Sequence, residues 1–145
     1  MKFYDSVGPN PHVVRMVMAE KGISLPSETI DIRAGANRSG DYIKKVQTGS
    51  TPALELDDGR IISEITVIAE YLEELHPTPA LIGTTAEARA ETRKWVRIID
   101  LGYVEPMANG FRATQGRPMF NGRFPLASES AGEELKAIAA KKLVW

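Results

Sequence analysis

Apolar positions follow two different periods along this chain, and the change between them divides it. Residues 2–5 have the character of a short strand. Val7-Gly8-Pro9-Asn10-Pro11 is a loop rich in breakers. Val13, Val14, Val17 and Met18 then share one helical face, with Pro11 suited to the first helical position and Asn10 to its cap. Lys21-Gly22 supplies a cation in the last turn and a glycine stop. Thr29, Ile30 and Ile32 predict a second strand, and residues 41–46 a short helix. Two paired strands are expected at 53–56 and 60–62, across Asp57-Asp58-Gly59. Ser63 reads as the next cap, with Glu64 favoured in the first turn by the helix dipole. Ile65, Ile68, Ala69, Leu72 and Leu75 form the apolar stripe of that helix.

His76-Pro77-Thr78-Pro79 stops it, and the pattern is wholly helical from there on. Trp95, Ile98, Ile99 and Gly102 share a face of a long helix beginning near Glu87. Pro106 is expected to bend that helix, because it lacks the N–H that would reach the Gly102 carbonyl. Residues 112–126 hold Gly116, Pro118, Gly122 and Pro125 and read as a loop. Residues 129–145 read as a last helix, apolar at Leu135, Ile138 and Ala139, with Ser130 and Glu133 as a capping box. The expected organisation is an α/β domain over 1–77, a linker over 78–85 and a helical domain over 86–145. Two helices enclose little core by themselves, so the helical part is expected to be incomplete and the chain a fragment.

The composition narrows the chemistry. The chain has 145 residues, 43% hydrophobic and 26% charged, with net charge −1. That balance argues against nucleic acid or an acidic membrane as partner. No apolar run approaches a membrane span, and the amino terminus carries no signal-peptide pattern, so a cytoplasmic location is expected. The absence of cysteine excludes disulfides, thiolate catalysis and cysteine-ligated metal. His12 and His76 form no local ligand pattern, and no metal site is expected. Thr51-Pro52 is the most informative pair. Proline cannot donate to a central ladder and belongs at the first residue of a strand. In the cis form it would turn the Thr51 peptide outward, leaving its N–H and C=O for an extended ligand.

Three motifs now resemble the soluble glutathione S-transferase family. Phe3-Tyr4-Asp5-Ser6 with Asn10-Pro11-His12-Val13-Val14-Arg15-Met16 is similar to its opening. Thr51-Pro52-Ala53-Leu54-Glu55-Leu56-Asp57-Asp58-Gly59 is similar to its cis-proline hairpin, and Ile62-Ser63-Glu64-Ile65-Thr66-Val67-Ile68-Ala69-Glu70-Tyr71-Leu72 to its third helix. The resemblance implies a thioredoxin-like domain followed by an all-α domain, in a cytoplasmic homodimer that binds glutathione as co-substrate. It implies that Thr51, between Ser50 and Pro52, pairs its backbone with the cysteinyl part of glutathione, and that Glu64 holds the γ-glutamyl end. The family's next residue is a serine. Here it is Ile65, whose backbone N–H remains to hold the carboxylate.

The sulfur needs a donor and a helix amino terminus. Tyr4 lies one place early in the strand. Gly8-Pro9-Asn10 resembles the loop of some bacterial members, so Asn10 is the first choice and Ser6 the second. A small hydrophobic electrophile would be met near Tyr103 and Phe111, and Trp95 with Tyr103 could line its pocket. Plainer roles stand beside these: Asn10 as a cap, Ser6 as a loop residue, Glu64 as a first-turn acid, Trp95 and Tyr103 as packing, Arg97, Arg112 and His12 as solvated side chains. The leading expectation is conjugation of glutathione to the electrophile. The alternatives are a non-catalytic module of the same fold, or a glutathione-dependent disulfide reductase that uses no cysteine of its own.

Overall fold

The computed structural model describes residues 1–123 and 125–142. They form two compact units, Met1–Ile82 and a second beginning at Gly83.

In the first unit, β1 (Lys2–Asp5) leads through α1 (Pro9–Glu20) to β2 (Ser27–Thr29), which pairs with β1 in parallel. A 3₁₀ turn (Ala36–Arg38) and α2 (Gly40–Lys45) follow, then β3 (Ala53–Glu55), β4 (Ile61–Ser63) and α3 (Ile65–Leu75). The sheet order is β2-β1-β3-β4, and β3 is antiparallel to both its neighbours. This is the expected thioredoxin-like α/β layer. The period of two in each strand sends alternate side chains to opposite faces. Phe3 and Leu54 pack with Val14, Ile68 and Leu72 on one face. Tyr4 and Ala53 pack with Ile30, Tyr42 and Val46 on the other.

Several expected boundaries move. α1 starts at Pro9 with Gly8 as cap, two places before Pro11, because neither proline needs the N–H that the first turn leaves unpaired. On its face, Pro11 and Val14 are buried and Val13 is exposed. β2 lies earlier than Thr29–Ile32, since Ser27, Glu28 and Thr29 are the residues in register with Phe3, Tyr4 and Asp5. Leu75, expected on the apolar stripe of α3, is 48% exposed, and Glu73 is buried in that helix.

Lys21 is the larger surprise. It caps α1, ahead of Gly22 at φ +63, but its side chain is wholly buried. The ammonium lies 2.5 Å from Glu73, which is 3% exposed, and donates to the carbonyls of His76 (2.7 Å) and Pro79 (2.8 Å). The Glu73 carboxylate in turn accepts the N–H groups of Leu81 (3.1 Å) and Ile82 (3.2 Å). Residues 76–82, the last segment of the first unit, are therefore fastened to the ends of α1 and α3 through one ion pair.

In the second unit, α4 (Ala86–Ile99) is capped by Thr85, whose hydroxyl accepts the Ala88 N–H at 3.2 Å. The long helix expected here is interrupted just ahead of Pro106. A π-helical segment, Asp100–Val104, comes first, with the Glu105 N–H on the Asp100 carbonyl, and α5 (Glu105–Ala113) restarts with the proline inside its first turn. The wider turn accommodates the missing proline donor. α5 runs on to Ala113, and α6 (Arg117–Phe120) occupies part of the expected loop. α7 (Glu129–Lys142) is capped by Ser128 rather than Ser130: the Ser128 hydroxyl accepts the Ala131 N–H at 3.2 Å. The predicted helical residues 143–145 lie outside the described residues.

α5 and α7 cross at small residues. Gly110, Ala113, Gly132 and Ala139 are buried there. A Cβ on Gly110 would come 2.7 Å from the Gly132 carbonyl oxygen, and one on Gly132 would come 2.8 Å from Ala113 Cβ. Backbone cannot move aside as a side-chain end can. Gly110→Ala is therefore expected to lower the urea-unfolding free energy by about 1–3 kcal/mol through overpacking, despite alanine's better helix propensity.

Candidate functional site

The register brings the predicted glutathione-site residues of the first unit to one end of the sheet. Tyr4 pairs with Ala53, and Ala53 with Ser63. The end of β1 (Asp5, Ser6), the entry to β3 (Thr51, Pro52) and the exit of β4 (Glu64, Ile65) are consequently neighbours. α1 and α3 both start at this end. Each presents first-turn N–H groups that no helical carbonyl can reach, and with them the positive end of its dipole.

The Thr51–Pro52 peptide is cis. Among the described residues, the Thr51 N–H and C=O pair with no other backbone group. The preceding corner is held by the Tyr42 hydroxyl, which donates to the Ser50 carbonyl, and by the Thr48 and Ser50 hydroxyls at 2.7 Å. Gly49 is required at φ +63, where a Cβ would meet the Asn37 carbonyl oxygen at 2.9 Å; Asn37 Nδ2 donates to the Gly49 carbonyl at 2.6 Å. Tyr42 and Asn37 were not read as site residues. They make no contact that sequence spacing would single out.

Ser6 is 3% exposed, and its Oγ lies 2.8 Å from Thr51 Oγ1. It accepts the Gly8 N–H at 3.3 Å. Its own N–H is held by Asp5 Oδ1 at 2.7 Å, and Asp5 is paired with Arg15, which also donates to the Ser6 carbonyl at 3.3 Å. Arg15 lies 3.2 Å from His12 Nδ1. Asn10 is the second residue of α1, exposed, and not the cap.

Glu64 stands at φ 73, ψ 131, the single non-glycine residue of positive φ among those described. Ser63 belongs to β4, so Glu64 holds the cap position itself, and its carbonyl accepts the Ile68 N–H at 2.9 Å. A side chain in that region costs of order 1–3 kcal/mol and persists where the surroundings demand it. Glu64 is exposed, and its side chain makes no capping bond to the first-turn N–H groups of α3. Ile65 is half-buried against the Phe3–Leu54 core. Thr66 offers an exposed hydroxyl one place further on.

Tyr4 is unavailable to this end of the sheet. Its ring packs edge-on to Tyr42, 5.4 Å between centroids, and its hydroxyl donates to Glu55 and accepts from Lys45 at 3.1 Å. Burial, then the Glu55 carboxylate, raise its pKa. Burial pushes Tyr42 up to about 12. Both phenols stay protonated at neutral pH.

In the second unit, Tyr103 lies in the π segment, half-buried, and Phe111 is 44% exposed with Phe120 edge-on at 6.4 Å. Trp95, read either as lining a hydrophobic pocket or as packing, is 42% exposed, and its indole donates to Glu91 at 2.8 Å. Trp95, Val96, Ile99 and Val104 line an open cleft of about 430 Å³, of which Tyr103 and Phe111 are not lining residues.

Residues 7–75 match the family model described as glutathione S-transferase, N-terminal domain. A glutathione S-transferase domain-containing protein from Marinobacter aquaeolei superposes with TM-score 0.89 at 30% identity, over 99% of this chain and 71% of its own. The chain belongs to the glutathione S-transferase family. It is also 34% identical over 120 residues to glutathione S-transferase 2 of Saccharomyces cerevisiae, covering 80% of this chain and 52% of the relative. Elongation factor 1-gamma of Rattus norvegicus is 36% identical over 104 residues, covering 70% of this chain and 22% of the relative. The chain thus spans about half, or less, of the curated relatives it matches. Among the described residues, no helix is long and apolar enough to cross a membrane.

Proposed function

We propose that this chain binds glutathione along the end of the sheet and presents its thiolate to a small hydrophobic electrophile. The observation that supports this most is the unpaired Thr51 backbone edge beside the open amino terminus of α3. In this reading Thr51, flanked by Ser50 and Pro52, pairs with the cysteinyl backbone. The Glu64 carboxylate takes the γ-glutamyl ammonium. The N–H of Ile65 and its neighbours take the γ-glutamyl carboxylate, with the helix dipole contributing about 0.3–1 kcal/mol.

The sulfur lies towards the start of α1, with Asn10 as donor. A helix terminus and a polar donor both favour thiolate over thiol, so the proton passes to solvent at neutral pH. The sulfur lone pair then forms the C–S bond and displaces the electrophile's leaving group. Tyr103 and Phe111 belong to the electrophile's surroundings, and the working form is a cytoplasmic homodimer.

Calorimetric titration with glutathione and turnover of an aryl halide test the reading. Saturable binding with turnover is expected. Asn10→Ala is expected to slow turnover about tenfold or more while leaving glutathione affinity within about twofold, since it removes one donor aimed at developing charge. Unchanged turnover would remove Asn10 from the mechanism. The likeness to elongation factor 1-gamma, and Ile65 at the family's serine position, favour a second reading: a non-catalytic module. Binding without turnover of an aryl halide or a small disulfide would select it.

A further inference from the structure

We propose that Ser6 is a positioning residue: its hydroxyl ties the loop that starts α1 to the Thr51–Pro52 corner, and it does not touch sulfur. This rests on the glutathione-binding reading for its functional consequence, but the link itself is a property of the fold. Ser6 belongs to the short connection between the end of β1 and the cap of α1, where hydroxyls ordinarily face water. Here it is 3% exposed. Every polar group it carries is engaged: the N–H by Asp5, the carbonyl by Arg15, and the hydroxyl by Thr51 and the Gly8 N–H.

A serine hydroxyl has one donor and two acceptor sites. If Ser6 donates to Thr51, its one proton is spent. If Thr51 donates to Ser6, both Ser6 lone pairs are taken, and the remaining proton is enclosed. In neither case is a donor aimed at a ligand. The same bond fixes the side chain of Thr51, whose backbone edge is the proposed partner of the cysteinyl unit, and Gly8 is the cap of α1. One hydroxyl therefore sets the spacing between the two parts of the site that must meet a single cysteine residue of the ligand.

The test uses the full chain with Ser6→Ala, Thr51→Val and both together. Urea unfolding is expected to show coupling, the double variant being no less stable than the weaker single variant. Affinity is then measured for glutathione and for S-methylglutathione, whose thioether cannot ionise. Titration of the bound thiol is followed by thiolate ultraviolet absorbance. Ser6→Ala should weaken both ligands by the same factor, about threefold to tenfold for one net hydrogen bond, with the thiol titration unmoved. A raised thiol pKa with S-methylglutathione spared would make Ser6 a sulfur donor and overturn the proposal. Additive stability losses would overturn it too, by showing that the two hydroxyls are independent. If wild type binds neither ligand, the functional reading fails, and the unfolding cycle alone decides the Ser6–Thr51 link.

Discussion

Lys21→Met is expected to cost about 3–5 kcal/mol of stability, because it leaves the Glu73 carboxylate buried without its counter-charge. The usual remedy for such a loss is to replace both partners with apolar residues of similar size, which is often neutral. It should fail here. All three ammonium protons are used, on Glu73 and on the His76 and Pro79 carbonyls, and the carboxylate serves the Leu81 and Ile82 N–H groups. Lys21→Met with Glu73→Leu would therefore orphan four backbone groups and remain well below wild type in urea unfolding. Hydrogen exchange gives a local reading: the Leu81 and Ile82 amides should lose protection in Glu73→Leu, while Leu54 in the central strand changes least. Recovery of full stability in the double variant would show that the pair is merely a buried charge and not a clasp.

The same clasp sets an acid limit. Burial by itself would raise the Glu73 carboxyl, but the Lys21 ammonium and the Ile82 and Leu81 N–H groups outweigh it and hold it below its ordinary 4.5. A group with a depressed folded pKa contributes stability that is fully present above its unfolded value and is lost as pH falls through the folded one. Unfolding free energy should thus decline as pH drops below about 4.5, and Glu73→Gln should flatten that part of the profile from a lower starting level.

The elements of the first unit were legible because they rest on local signals. Strand alternation, the Asp57-Asp58-Gly59 turn and the α3 stripe place β1, β3, β4 and α3 within a residue or two. Proline was legible in kind but not in register: Pro9 and Pro11 both fit a first turn, and nothing local says that the helix starts at the first of them. What escaped was carried by partners distant in sequence. Lys21 reads as a solvated end-of-helix cation until Glu73 is seen beside it. Ser6 reads as a loop hydroxyl until Thr51 closes on it. Arg15 carries no signal of its hold on Asp5 and Ser6. The convergence of Ser6, Thr51 and Glu64 was implied by family resemblance, yet its physical cause is the pairing Tyr4–Ala53–Ser63, which no single segment encodes.

Ile65→Ser is expected to tighten glutathione binding about tenfold or more. In the proposed pose, the γ-glutamyl carboxylate meets the first turn of α3, where backbone N–H groups and the helix dipole act alone. A hydroxyl at the first helical position adds a hydrogen bond to a charged acceptor, of order 1.5–3 kcal/mol when well aligned. The structure explains why an isoleucine can hold that position. Its side chain is half-buried against the cluster of Phe3, Val14, Leu54, Ile68 and Leu72, so the chain has apolar contact where a hydroxyl would stand. Removing that contact should cost roughly 1–2 kcal/mol of unfolding free energy, at about 0.8 kcal/mol for each buried CH₂ equivalent. The two effects have opposite signs and separate readouts. Calorimetry should show a lower Kd, while ligand-free urea unfolding shifts to lower denaturant. Ile65→Ala divides them further: it should lose the same stability and gain no affinity. Equal affinity for the serine and alanine variants would mean that the carboxylate does not sit at the start of α3, and the proposed orientation of glutathione would have to be abandoned.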